Sequence, residues 1–108
     1  EALKLEGKLD LPTIPYNCLH NGHMFYIKAE NLDERSKIID FLKKSNISAA
    51  FHYVPLHNSV TGLEYGYFNG QDINTTKESE RLVRLPMWYG LDEQKISLII
   101  DKVKEFFS

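Results

Sequence analysis

The chain has 108 residues, of which 43% are hydrophobic and 26% are charged, and its formal net charge is −2. This length indicates one domain with one modest core, and the lack of a basic stripe argues against nucleic acid as a partner, because phosphate binding needs clustered lysine and arginine. No apolar run approaches the roughly 20 residues that a membrane-spanning helix needs, and the single cysteine, Cys18, favours a reducing, cytoplasmic setting.

Residues 1–22 have the character of a tether that leads into a strand. Two prolines, Pro12 and Pro15, favour an extended path and disfavour a helix. The apolar run that follows predicts a buried strand over residues 23–28. Because the chain begins at Glu1 rather than Met, we expect a processed protein or a piece of a longer one.

The first helix is predicted over residues 32–45, and a second strand over residues 47–53. Asn31 and Glu34 have the spacing of an N-cap with its capping box. Asn46 suits the left-handed position that ends a helix. Two alanines make the second strand thin, so we expect a neighbouring element to pack closely against it.

Residues 54–73 have no clear helix or strand period. A structureless segment of that length inside a compact domain is usually functional or disordered. Its aromatic residues argue against disorder. We therefore interpret this segment as a functional loop.

Three elements complete the chain. A short helix is predicted over residues 75–81, with Thr75 and Glu78 as its capping box. A short strand is predicted over residues 82–85, and a final amphipathic helix begins after its N-cap, Asp92.

This order of elements predicts an α/β (α+β) domain with a three-stranded mixed or antiparallel sheet. A connection through a helix usually joins parallel strands in a right-handed crossover, and the third strand fits between the first two, antiparallel to them. Helices would cover one face of the sheet. The other face would stay partly open and need a partner.

The strongest candidate site lies where the second strand ends. His52, Tyr53 and His57 place two imidazoles and a phenol around Pro55, which stops the apolar run. Such side chains at the end of a rigid element are suited to bind an anionic or hydroxylated ligand. Strict alternation would send His52 and Tyr53 to opposite faces unless the strand ends there. The alternative is a hydrogen-bonded histidine beside a core tyrosine.

A zinc site is a second possibility. Its candidate ligands form two groups that are separated along the chain. The first is Cys18, His20 and His23, and the second is His52 and His57. These residue types suit zinc. The spacing within the first group is poor, because one residue separates Cys18 from His20 and an extended segment need not bring them together.

Two further groups have competing interpretations. The first is an aromatic set that is either an interface or a small satellite core under the loop: Tyr65, Tyr67, Phe68, Trp88 and Tyr89. The second is either an anion-binding patch or a solvated helix face: Lys77, Glu78, Arg81 and Arg84.

A series of strings occurs along the chain in a distinctive order. They are His23-Met24-Phe25-Tyr26-Ile27, Arg35 in a helix that ends with Phe41-Leu42, His52-Tyr53-Val54-Pro55-Leu56-His57, Thr76-Lys77-Glu78-Ser79-Glu80-Arg81-Leu82 and Leu85-Pro86. Together with the final helix, this series resembles the C-terminal segment of the DegT/StrS family of sugar-nucleotide aminotransferases. It looks closest to the dTDP-4-amino-4,6-dideoxygalactose transaminases.

The resemblance implies a homodimeric enzyme that uses pyridoxal phosphate and moves an amino group, typically from glutamate, to a keto-sugar nucleotide. Residues 1–15 would end the connection from a large N-terminal domain, and residues 16–108 would be the small C-terminal domain. The Schiff-base lysine and most cofactor contacts would lie in the large domain, so this segment alone should bind no cofactor and should not transaminate.

The resemblance also places His52, Tyr53 and His57 near the sugar nucleotide, with no catalytic, cofactor or metal residue in this segment. An alternative that stays open is a self-sufficient α/β ligand-binding module. The zinc protein is a third hypothesis.

Overall fold

The computed structural model describes residues 1–108. Its elements in chain order are α1 (Ala2–Leu5), β1 (Phe25–Lys28), α2 (Leu32–Lys44), α3 (Val60–Tyr65), α4 (Thr75–Arg81), β2 (Leu82–Leu85) and α5 (Glu93–Phe106). A single 3-10 turn, Leu56–Asn58, precedes α3. The predicted α/β class is confirmed. None of these helices has the length and apolar character that a membrane crossing requires.

The sheet is antiparallel and centred on β2. On one side β2 pairs with β1, where Ile27 lies opposite Val83. On its other side, Ala50 forms a single antiparallel bridge to Arg84. The short strand therefore lies between the other two segments and runs antiparallel to its neighbours, as predicted.

The predicted strand over residues 47–53 is wrong as a continuous element, so the sheet has two strands rather than three. Only the bridge at Ala50 remains of it. The physical reason is weak packing: Ile47 is buried, whereas Ala50 and Phe51 are exposed. Small or exposed side chains provide little of the cross-strand contact that stabilises a sheet.

The core lies on one face of this sheet. Helices α2 and α5 bring their apolar stripes against the inward residues of the strands, and the buried residues are Leu9, Ile27, Ala29, Ile38, Leu42, Ile47, Val83, Leu85, Ile99 and Val103. Because side chains alternate along a strand, Tyr26, Lys28 and Arg84 point to the opposite face. That face is polar and carries the candidate site.

The helix ends follow the local signals with one exception. Asn31 Oδ1 accepts a hydrogen bond from the Glu34 backbone N–H at 3.0 Å, and Asn46 has the positive φ of 58° expected of it. The predicted capping box at Thr75 is wrong, because Thr75 is already helical. Asp72 acts instead: its Oδ1 accepts from the Thr76 backbone N–H at 3.2 Å.

The first residues of the chain contact the domain more closely than a tether would. Leu9 is only 6% exposed within the core. Asp10 exchanges two backbone hydrogen bonds with Lys28, each 3.0 Å long, along the free edge of β1. The stretch after Asp10 has no helix or strand, in line with its prolines. Residues 1–15 as the end of an inter-domain connection stay a prediction.

Candidate functional site

The segment from Ala50 to Tyr53 is held at the edge of the sheet by backbone hydrogen bonds. The Ala50 N–H donates to the Arg84 carbonyl at 3.1 Å, and the Arg84 N–H donates to the Ala50 carbonyl at 2.7 Å. This pair fixes the segment relative to β2. It brings His52 to the side chain of Arg84, on the polar face of the sheet.

His52 and Arg84 form the polar centre of this region. The distance from His52 Nδ1 to Arg84 Nη1 is 3.4 Å. A guanidinium group has no acceptor, so His52 Nδ1 must accept in this contact, and the neutral imidazole then carries its hydrogen on Nε2. The rings of His52 and Tyr53 lie next to each other with centroids 3.6 Å apart, and both side chains reach the surface.

Two helices support the same segment from the other side. The Arg35 guanidinium of α2 lies 4.9 Å from the centre of the Phe51 ring, and its Nη1 donates to the Ser79 carbonyl of α4 at 3.3 Å. The Ser79 hydroxyl in turn donates to the Tyr53 carbonyl. Burial lowers the pKa of Arg35, and the nearby charge of Glu80 opposes that effect. Arg35 and Ser79 therefore position residues 51–53.

Arg35 and Ser79 were not identified as site residues from the sequence. The sequence of α2 predicts its apolar face but gives no role to Arg35. Ser79 lies 26 residues from its partner Tyr53, so no local pattern links the two. The only available signal was that both belong to the strings that carry the family resemblance.

The third predicted residue, His57, lies in a separate cluster. Its Nε2 is 2.9 Å from Asp72 Oδ2 and 3.4 Å from the Thr76 hydroxyl. Asn58 Nδ2 also donates to that hydroxyl at 2.9 Å. No hydrogen bond or ring contact joins His57 to His52. These contacts tie the 3-10 turn to the start of α4.

Asp72 is the electrostatic centre of that cluster. The Thr76 hydroxyl donates to Oδ2, and the imidazole of His57 lies on the same oxygen. Hydrogen bonding from Thr76, with a smaller contribution from His57, holds the pKa of Asp72 below its ordinary value. The aspartate and the hydroxyl approach the same nitrogen of His57, so the three residues do not form a proton relay from Asp72 through His57 to Thr76.

An open cleft of about 550 Å³ lies beside His57. The 3-10 turn, helix α3 and the residues after it line the cleft, including Leu56, Tyr65, Tyr67 and Phe68. Phe68 stacks on His57 with centroids 4.3 Å apart, whereas Tyr65 is 79% and Tyr67 is 89% exposed. The satellite-core interpretation is therefore wrong for the two tyrosines.

Trp88 and Tyr89 do not join this cleft. They lie in the turn between β2 and α5, and both are exposed. The predicted aromatic set is therefore two separate exposed groups.

The predicted anion patch is mostly an internal ion-pair network. Arg81 contacts Asp10 at 2.8 Å and donates through Nε to the Ala29 carbonyl at 2.7 Å. Glu78 pairs with Lys28 at 2.6 Å, and this hydrogen bond lowers the pKa of Glu78. Arg81 and Glu78 are therefore paired within the chain rather than free to bind an anion. Of the four residues, Arg84 alone points to the candidate site.

No group of three or more histidine, cysteine, aspartate or glutamate side chains is arranged to hold a metal. His20 Nδ1 accepts a hydrogen bond from the Gly22 N–H at 3.0 Å, which closes a local turn. Cys18 lies beside Asn17. The side chains of Cys18 and His20 thus make local contacts only, and the extended segment does not bring the candidate ligands together.

The lysines of the chain do not suit a Schiff base with pyridoxal phosphate. Such a lysine needs burial or neighbouring charge to make its amine nucleophilic. Lys28 is instead paired with Glu78, and Lys77 is exposed on α4. The residues of this chain alone do not fit that cofactor.

Comparison with known proteins gives a consistent assignment. The model of the DegT/DnrJ/EryC1/StrS aminotransferase family matches residues 3–104. An uncharacterized protein of Methanocaldococcus jannaschii is 31% identical over 113 residues, which cover 100% of this chain and 29% of that protein. The pleiotropic regulatory protein of Geobacillus stearothermophilus is 27% identical over 99 residues, covering 91% of this chain and 27% of that protein. The chain thus spans less than a third of the length of these relatives.

Solved structures show the same fold. The aminotransferase TlmJ of Streptoalloteichus hindustanus has a TM-score of 0.80 at 19% identity, covering 93% of this chain and 26% of that one. DesV of S. venezuelae has a TM-score of 0.80 at 22% identity, with coverage of 97% and 29%. NtdA of Bacillus subtilis, solved with bound cofactor PMP, has a TM-score of 0.79 at 17% identity, with coverage of 97% and 24%.

Proposed function

Because the chain belongs to the DegT/DnrJ/EryC1/StrS aminotransferase family, we propose that it is the C-terminal small domain of a pyridoxal-phosphate-dependent aminotransferase that acts on a keto-sugar nucleotide. The observation that carries this proposal is the family match over residues 3–104 of a chain that spans less than a third of its relatives. The cofactor bound in the similar structure of NtdA supports the choice of cofactor.

In this proposal the domain encloses the substrate, and the cofactor, held by polypeptide outside this chain, supplies the electron sink for amino transfer. His52 and Tyr53 are the substrate contacts at the end of the segment that Arg35, Ser79 and β2 hold in place. Rigid positioning of such groups lowers the entropic cost of reaching the reactive geometry. Their hydrogen bonds would go to hydroxyl or diphosphate oxygens.

His57 is proposed as a substrate contact from the neighbouring cleft. Its Nε2 is occupied by Asp72 and Thr76, but its Nδ1 makes no hydrogen bond within the chain. The aromatic residues beside it provide an apolar wall. This arrangement resembles common ligand sites, in which a few polar groups orient a molecule against apolar side chains.

The implied partners are a large domain, to which residues 1–15 would lead, and a second copy of the complete enzyme. The absence of a suitably placed lysine in this chain supports the first of these. The family resemblance supports the homodimer. The cytoplasmic setting suggested by the single cysteine stays a prediction.

The test is to express the protein that the complete reading frame encodes and to assay it with glutamate and a dTDP-4-keto-6-deoxyhexose. We expect an amino-sugar nucleotide as product and the absorbance of a bound pyridoxal cofactor. His52→Ala should weaken turnover of the sugar nucleotide and leave the cofactor absorbance intact. The 108-residue chain alone should show neither absorbance nor turnover.

Three outcomes would count against the proposal. A reading frame that encodes only this domain, with a ligand bound by the isolated chain, would favour the self-sufficient binding module. A complete enzyme that uses no keto-sugar nucleotide as amino acceptor would reject the substrate class. Stoichiometric zinc in the purified protein would revive the metal hypothesis.

A further inference from the structure

Arg84 is a half-buried cation without an acidic partner. Lys28 and Arg81, which flank it on the sheet and at the end of α4, each pair with a carboxylate. Arg84 forms no ion pair, and its one side-chain hydrogen bond goes to the imidazole of His52. Removing a charge from water without a counter-ion is costly. Its guanidinium has no counter-ion within the chain and is therefore available to an anion from outside it.

Arg84 and the side chains beside it offer several hydrogen-bond donors. Nε and Nη2 of Arg84 make no hydrogen bond within the chain, and His52 presents its Nε2–H because its Nδ1 accepts from Arg84. Tyr26 lies directly opposite Arg84 in the strand register, and its hydroxyl is also unpaired. Arg84, His52 and Tyr26 thus provide three donor groups, each with a hydrogen that bonds to no acceptor in the chain. Such a set suits a ligand that carries several charged oxygens.

We propose that Arg84, with His52 beside it, binds the diphosphate group of the sugar nucleotide. This inference rests on the proposed function and assigns the anionic part of the substrate to a residue that the family resemblance did not single out. Arginine suits this role because its planar fork can donate two parallel hydrogen bonds to one phosphate. Its place on the central strand β2 fixes it, because its backbone exchanges two hydrogen bonds with Ala50 on one side and its strand pairs with β1 on the other.

The carboxylate of the amino donor is the competing source of oxyanions. A diphosphate fits better because it presents more charged oxygens to the three donor groups than one carboxylate does. The two sources belong to different half-reactions, so a kinetic experiment separates them.

The first experiment measures binding of inorganic pyrophosphate by calorimetry to the cofactor-loaded protein that the complete reading frame encodes. Arg84→Gln should weaken binding by about tenfold or more, because it removes a charged hydrogen-bond donor from the anion. Arg84→Lys should fall in between, because it keeps the charge but loses the fork. The control Lys77→Gln removes the same charge from an exposed site on α4 and should bind pyrophosphate like the wild type.

The second experiment follows the two half-reactions separately through the cofactor absorbance. Arg84→Gln should raise the KM for the sugar nucleotide by a similar factor and leave the reaction with glutamate unchanged. Slower reaction with glutamate, with pyrophosphate binding intact, would assign the site to the amino donor and overturn the proposal. Equal pyrophosphate binding by Arg84→Gln and Lys77→Gln would also overturn it.

The two proposals fail in different ways. A protein that shows Arg84-dependent pyrophosphate binding but transfers no amino group to any sugar nucleotide would refute the proposed function and keep the phosphate site. A protein that transaminates normally with Arg84→Gln would keep the function and refute the phosphate site.

Discussion

At the scale of single residues, the two histidines of one string have different surroundings. His52 accepts a hydrogen bond from a cation, whereas His57 lies against a carboxylate. An imidazole adapts to either, because each ring nitrogen can donate or accept. The first arrangement leaves a donor free for a ligand. The second fastens the loop between residues 54 and 73 to α4.

The Asp72 cluster gives a pH-dependent prediction. Hydrogen bonds from Thr76 and His57 lower the pKa of Asp72 in the folded chain. The ionised Asp72 carboxylate therefore stabilises the folded chain. This contribution to the free energy of unfolding is fully present above the ordinary aspartate pKa of about 4, and it is lost as the pH falls through the lower pKa that Asp72 has in the folded chain. Asp72→Asn should destabilise the domain near neutral pH, and this difference from the wild type should shrink in acid.

Urea unfolding at a series of pH values checks this prediction. The matched control is Asp40→Asn, because Asp40 is exposed on α2 and its side chain makes no hydrogen bond or ion pair. The control should show little loss at any pH. A deficit in Asp72→Asn that is the same in acid as at neutral pH would show that the carboxylate charge is not responsible.

Sequence reasoning identified His52, Tyr53 and His57 as candidates but could not say which residues they meet. His52 depends on Arg84, 32 positions later, and His57 on Asp72, 15 positions later. Local patterns carry no information about such pairs. The helix caps at Asn31 and Asp92 were predictable because each acts on a backbone N–H three residues further on.

At the scale of elements, α2 connects the core to the site. Ile38 and Leu42 are fully buried against the sheet, and Arg35 on the same helix supports Phe51. The start of α2 is fixed by Asn31 and by Glu34, whose Oε2 accepts from the Glu30 N–H at 2.7 Å. Loss of this cap would therefore affect both the fold and the position of the site.

Replacement of Asn31 measures how much its side chain stabilises α2. Asn31→Ala removes the acceptor for the Glu34 N–H and should lower the free energy of unfolding by about 1 kcal/mol, the usual cost of losing an N-cap. Chemical denaturation measures the loss, and Asn69→Ala, an exposed change in the loop, is the control. Equal stability of the two variants would show that the Asn31 side chain does not cap α2 in solution.

Helix α3 is an element that could not be predicted from this sequence. It lies within the segment that has no clear period, and it packs against the preceding 3-10 turn. Gly62 allows this contact, because a Cβ atom there would collide with the Leu56 carbonyl oxygen. From the sequence alone, a glycine that is needed for close packing cannot be distinguished from a glycine that is needed for a turn. The contact that explains it exists only in the folded chain.

At the scale of the whole molecule, the apolar opening lies beside α5, on the helix-covered side of the sheet rather than on the opposite face expected from the sequence. Two grooves, of about 430 and 320 Å³, share Phe25, Leu85, Ile99 and Ile100. The larger groove continues to Glu1 and the residues of α1. A contiguous apolar surface of this kind usually marks a protein interface.

The proposed large domain is the occupant that we infer for these grooves. The larger groove lies along the first residues of the chain, where polypeptide from an upstream domain would enter, and the relatives are more than three times as long as this chain. Packing of a second domain here would bury the exposed parts of α5. It would also set the orientation of the site relative to that domain.

A matched pair of substitutions on α5 tests this inference. Ile100 lines both grooves and is 47% exposed, whereas Leu98 is 51% exposed and lines neither. In the protein that the complete reading frame encodes, Ile100→Glu should destabilise the packing of the two domains by about 1–3 kcal/mol, because it puts a charge where an apolar side chain would be buried. Thermal unfolding should then separate into two transitions, and limited proteolysis should cut faster near residues 1–15. Leu98→Glu should leave one transition and the wild-type cleavage rate, and equal behaviour of the two variants would place the large domain elsewhere.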